Sequence, residues 1–175
     1  MHGMFWHFPE TFSTANSAGI RPRGSYLKVI ADFTEWNGRL VFGCDDSAKS
    51  EFLNRRKQKG RIGGPGQSNS NIWFTSYDQP DHVGPTTAGG SVWLKEDVKA
   101  GVPSDPFLFN GWDNRCAWIA NRSNVPATIT FEVDKNGNGS WTELCKVDVA
   151  GGGSIFTPFG NDQQVVWIRA VSRSE

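Results

Sequence analysis

Residues 127–149 read ATITFEVDKNGNGSWTELCKVDV, and the fold follows from the alternation inside them. Ile129, Phe131 and Val133 fall on one face of an extended segment, with Thr128, Thr130, Glu132 and Asp134 on the other. That period of two marks a half-buried strand. The run Asn136, Gly137, Asn138, Gly139 comes next, and both residue types tolerate a positive φ at low cost. Beyond it Cys145, Val147 and Val149 alternate with Lys146 and Asp148, so the chain reverses and returns as a second strand. A hairpin alone is marginal in water and needs further strands to close over its apolar face. The apolar runs 107–109, 116–119, 154–158 and 165–171 are the expected partners.

The chain has 175 residues, room for one ordinary domain with or without an appendage. Its 18 basic and 18 acidic residues cancel, so no long-range attraction to phosphate backbones or anionic lipid is expected, and nucleic acid is disfavoured as a partner. No run approaches the roughly 20 apolar residues of a membrane helix. The opening MHGMFWHFPETF lacks the basic-then-apolar order of a signal peptide, and no membrane partner is expected. Cys44, Cys116 and Cys145 lack the paired spacing of a zinc site and permit one disulfide at most; buried free thiols are the expected state. The aromatic content is unusual, with eight Trp and twelve Phe against two Tyr.

Upstream, Met4, Phe5, Trp6, His7, Phe8 and Phe12 make a segment too apolar to face water and too short to fold alone, which predicts an edge strand docked on a core. Gly19, Pro22 and Gly24 predict a loop over 16–25. Residues 26–33 and 39–44 read as strands joined around Trp36-Asn37-Gly38. Asp45 and Asp46 follow, then a short helix over 48–56 with Asp46 or Ser47 as its cap. A basic run at 55–61 leads into a glycine-rich loop at 63–71 that lacks the spacing of a phosphate cradle. Strands are expected at 72–77 and 91–94, with a polar connection over 95–106. The expected architecture is all-β: an antiparallel β-sandwich formed mainly by residues 103–175, with residues 1–102 as a region of additional N-terminal antiparallel strands packing on it.

The segments GMFWHFPETF, RGSYLKVIADF, NGRLVFGCDDS, GQSNSNIWF and PFLFNGWDNR resemble the C-terminal part of a group of long, uncharacterised bacterial proteins with a propeller-like preceding region. The resemblance implies a longer architecture that is exported or periplasmic. It brings no known catalytic residues.

For chemistry, the segment 109–115 gathers an aromatic plate, an acid, amides and a guanidinium. Trp112 would stack on a sugar ring while Asp113, Asn114 and Arg115 hydrogen-bond its hydroxyls. The competing reading puts Trp112 in the core and pairs Asp113 with Arg115 across a turn. Trp36 and Trp73, beside polar loop residues, are further candidates for the same ligand. Asp134, Asn136 and Asn138 match the opening of a calcium loop, but Cys145 stands where the closing Glu belongs; a plain turn without metal or cofactor is expected, calcium being the alternative. The imidazoles are His2, His7 and His82, and no nucleophile elbow or zinc motif accompanies them. Asp45, Asp46, Asp113 and His82, with Glu10 and Glu35, are the groups left for a hydrolase of glycosidic or ester bonds. The favoured expectation is a non-catalytic carbohydrate-binding or interaction module of an exported bacterial protein. Its ligand would be a polysaccharide or oligosaccharide, and its apolar N-terminal segment could join copies into a homo-oligomer.

Overall fold

The computed structural model describes residues 3–26, 29–45, 70–94, 96–160 and 165–173. They form an all-β protein of antiparallel sheets, without an α-helix among the described residues. None of their helices is long and apolar enough to cross a membrane. The chain divides into two compact units, one of Met1–Phe5 and Arg23–Thr86, the other of Trp6–Pro22 and Thr87–Glu175. Strands β1 (Met4–His7) and β2 (Arg21–Ser25) form a two-stranded ribbon.

In the smaller unit, β3 (Val29–Trp36), β4 (Arg39–Asp45) and β5 (Ser70–Thr75) form a sheet in that order. Asn37 and Gly38 both take positive φ, 51° and 69°, the pair of left-handed residues that a two-residue hairpin loop requires. Phe33, Phe42 and Trp73 are opposed in one row across the three strands, and Phe5 packs on Phe42 at 5.3 Å between ring centroids. Val41, Phe42 and Cys44 are buried because β4 is the central strand. The expected helix at 48–56, the basic run and most of the glycine-rich loop lie outside the described residues.

Residues 21–25 are strand β2, where a loop was expected. Pro22 is tolerated because each strand of a two-stranded ribbon keeps one unpaired edge, where a missing N–H costs nothing. Gly24 is there for close approach: a Cβ would overlap the carbonyl oxygen of Pro80. Arg23 then clamps this stretch, with Nε 2.9 Å and Nη2 2.7 Å from the two carboxylate oxygens of Asp81. That hydrogen bond and charge hold the guanidinium's pKa above its usual value.

The larger unit contains β6 (Phe107–Leu108), β7 (Arg115–Ala120), β8 (Ala127–Asp134), β9 (Trp141–Val149), β10 (Ser154–Phe159) and β11 (Trp167–Ser172). One sheet runs β6-β11-β8-β9 and the other is the β7–β10 pair. The predicted hairpin is β8–β9, and Ile129, Phe131 and Val133 are buried to 6, 6 and 1% exposure. Ile168 and Ala170 stand opposite Val133 and Phe131 on the same face. The second sheet closes over them: Ala117, Ile119 and Phe159 pack on this cluster, and the Phe159 ring stands edge-on to Phe109 and Phe131 at 5.2 and 5.1 Å. This is a two-layer sandwich, each layer burying one face of its strands.

Four details depart from the sequence reading. A bulge after Phe131 puts Leu144 and Cys145 both against the core, breaking the alternation of β9. The outward face of β8 is covered as well: Thr130 is fully buried, and Glu132 is paired with Arg169 at 2.8 Å, whose guanidinium lies over Trp141. Residues 91–94 form no strand; Val92 and Trp93 instead drop onto the hydrophobic cluster from a bent segment. Of the thiols, Cys44 is buried and Cys145 half-buried, but Cys116 is exposed on the outward side of β7. Burial, then the charge of Glu143, pushes the Cys145 thiol pKa upward.

Candidate functional site

The segment 109–115 connects β6 to β7 through Gly111, whose φ is 80° and whose missing Cβ would lie 2.8 Å from both Arg21 Cβ and Pro22 Cδ. Trp112 is held there. Its Nε1 donates to the Leu108 carbonyl at 3.1 Å, and its ring meets Trp6 edge-on at 6.2 Å. Arg115 lays its guanidinium over Phe109, 4.4 Å from the ring centroid, and donates to the Gly160 carbonyl at 2.6 Å. Asp113 and Asn114 are exposed. Trp112, half-buried, and Arg115 thus serve the packing of this corner.

Trp36 and Trp73 stand on opposite faces of the β3-β4-β5 sheet. Trp36 pairs with Arg39, Trp73 pairs with Phe42, and the odd spacing from Arg39 to Phe42 reverses the side. Trp36 is 63% exposed, whereas Trp73 is half-buried with its ring 5.4 Å from that of Phe42. The two cannot form one platform.

The calcium-like loop closes on its own backbone. Asp134, 2% exposed, accepts from the N–H groups of Asn136 at 3.0 Å, Gly137 at 2.9 Å and Gly139 at 2.7 Å. Asn138 accepts from Ser140 N–H at 3.1 Å. The side-chain oxygens of Asp134 and Asn138 that would have to face a cation are committed to amide donors. Among the described residues no cluster of three His, Cys, Asp or Glu side chains is placed to hold a metal.

Of the acid–base candidates, His82 lies 3.7 Å from Asp78, both about 70% exposed, and Asp113 is exposed in the other unit. The hydroxyl of Ser76 holds the Asp78 carboxyl below its usual pKa. Asp45 is the last residue of β4, and Asp46 lies outside the described residues. Glu35 is engaged by Tyr77, whose phenol it keeps protonated to higher pH. Two hollows of the larger unit measure about 170 and 260 Å³, below the roughly 300 to 1,000 Å³ of sites that enclose a small ligand.

The surface that sequence reasoning missed is the outer face of β7–β10. Pairing places Trp118 opposite Phe156, Cys116 opposite Pro158 and Ala120 opposite Ser154, all on the side away from Ala117, Ile119 and Phe159. Trp118 is 68% and Phe156 56% exposed, and the other four are exposed too. No charged side chain stands among these six. The signal was present: RCAWIA and SIFTPF are apolar at nearly every position, while a strand in a two-layer sandwich buries only one side. The face is six residues long and two strands wide, roughly 20 by 10 Å from strand geometry. The resulting area of roughly 200 Å² suits a chain lying flat and falls well short of the roughly 800 Å² per partner of a stable protein interface.

Compared with protein-family models, with curated proteins and with solved structures, the chain matches none.

Proposed function

We propose that this protein is a non-catalytic binding module that holds an uncharged polysaccharide on the outer face of β7–β10. The observation that carries the reading is the Trp118–Phe156 pair, two exposed rings directly opposed on a flat face without charge. Aromatic faces bind the axial C–H surfaces of pyranose rings by area and dispersion, and such contacts need no pocket. The dimensions of the face favour an extended chain over a globular partner. As the sequence resemblance implies, the module would belong to a longer exported protein and would keep that protein on its polymer.

The test is a depletion assay of the purified chain against insoluble and soluble neutral glycans, with chromogenic glycoside and ester substrates alongside. Retention without turnover is expected. Trp118→Ala should weaken retention by about tenfold or more, the loss typical of truncating a central aromatic anchor. Undiminished retention by Trp118→Ala would overturn this site.

A further inference from the structure

The solvent face of the smaller unit's sheet carries a second, chemically different array. Register places Trp36 opposite Arg39, Thr34 and Phe74 on either side of Val41, and Asp32 and Ile72 on either side of Gly43, all on one face. Trp36, Ile72 and Phe74 are 63, 67 and 46% exposed. Gly43 leaves the middle of the face bare. Arg39 reaches from β4 toward β5: its guanidinium lies 5.7 Å from the Phe74 centroid, and Nη2 donates to the Phe74 carbonyl at 3.2 Å. No carboxylate pairs with Arg39 among the described residues. Two acids share this parity: Asp32 lies two rows along and accepts from Phe33 N–H at 2.8 Å, and Asp45 ends β4 at the far end of the strand from Arg39.

We infer that this face is a binding surface for an acidic polysaccharide, with a uronate ring stacked on Trp36 and its carboxylate taken by Arg39. The charge decides the class. A cation that no carboxylate among the described residues pairs, beside an exposed ring, complements a ligand that joins a C–H face to an anion, which the β7–β10 face does not. Directly opposed residues stand roughly 5 Å apart at Cβ, within the span of one pyranose and its exocyclic carboxylate. Phe74 backs the guanidinium and holds its plane, leaving N–H donors to form the two parallel bonds a carboxylate accepts. This inference stands apart from the neutral-glycan reading, because it uses other residues in the other unit.

The experiment is affinity electrophoresis and depletion of the full chain with polygalacturonate and with its fully methyl-esterified counterpart, at low and high salt. Retention by the charged polymer, weakened by salt, is expected, and in the Trp118→Ala background, where the neutral-glycan face is removed, it is lost on esterification. Arg39→Gln should reduce it about tenfold, the scale of a charge-assisted bidentate contact, while Arg39→Lys retains part of it. Trp118→Ala should leave it unchanged. Trp36→Ala, at an exposed site where folding is not at stake, gives an independent reading of the same face. Equal binding of the ester by Trp118→Ala, no retention by the wild type, or wild-type retention by Arg39→Gln and Trp36→Ala would each overturn the proposal.

Discussion

Trp118 and Phe156 face each other across the β7–β10 ladder with 68 and 56% of their surface in water, on the side that the sandwich core does not use. Rings so exposed contribute little to folding, because burial is what makes an aromatic side chain stabilising. The double substitution Trp118→Ala with Phe156→Ala is therefore expected to change stability by less than about 1 kcal/mol in chemical denaturation. A loss of several kcal/mol would show that these rings are covered in solution.

Trp112→Ala should behave in the opposite way. The change deletes a ring that meets Trp6 and a hydrogen bond to Leu108, so a loss approaching the roughly 3 kcal/mol at the lower end of buried-ring truncations is expected. Glycan retention should persist in the folded fraction. Unchanged stability with abolished retention would return the binding site to the 109–115 segment.

The turn of the β8–β9 hairpin separates backbone strain from docking. Gly139 has φ 84° and open space around its missing Cβ, so Gly139→Ala should cost only the left-handed penalty of about 1 to 2 kcal/mol. At Gly137, φ is 64° and a Cβ would lie 2.5 Å from the amide nitrogen of Ala18. Overlap adds to strain there, and Gly137→Ala should be the more damaging by about 1 to 3 kcal/mol. Equal midpoints for the two variants would mean that residues 17–18 are not seated on the turn.

Thiol accessibility gives a third check. Cys116 is exposed, while Cys44 is buried and the Cys145 thiol is half-buried with a raised pKa. One cysteine should react quickly with a maleimide in the native protein, and three in denaturant. Since Cys116 shares the outer face with Trp118, a bulky label there should block glycan retention while leaving the fold intact.

Tyr77 yields a pH prediction. Its hydrogen bond to Glu35 favours the neutral phenol, so its folded-state pKa lies above the ordinary 10.0. For an acid raised on folding, the associated stabilisation is present below the unfolded value and disappears as pH rises through the folded one. In a Tyr26→Phe background, phenolate absorbance should report a midpoint above 10.0 that falls when Glu35 becomes Gln. A midpoint insensitive to Glu35→Gln would show that the contact is not made in solution.

Local pattern was enough for the strands whose two faces differ. Ile129, Phe131 and Val133 announced a core face, and Asn37-Gly38 announced a two-residue turn, because alternation and positive φ are properties of a few adjacent residues. The same logic failed for Val92 and Trp93, which are apolar and buried but belong to no ladder, and for Arg21–Ser25, where Pro22 and Gly24 argued against a strand that the β1–β2 ribbon accommodates. It also left Trp112 with two readings, since a ring beside Asp113 and Arg115 looks the same in sequence whether it packs or binds.

What the sequence determined by itself, then, was the set of antiparallel strands and the hairpin at their centre, since these rest on neighbours along the chain. Which aromatic rings remain in water was decided only by tertiary structure. Trp118, within the apolar run RCAWIA, is exposed, while Trp112, within the polar run NGWDNR, is half-buried, the reverse of what local context suggests. Their exposure depends on register across strands and on which face the second layer covers, and those contacts join residues far apart in the chain.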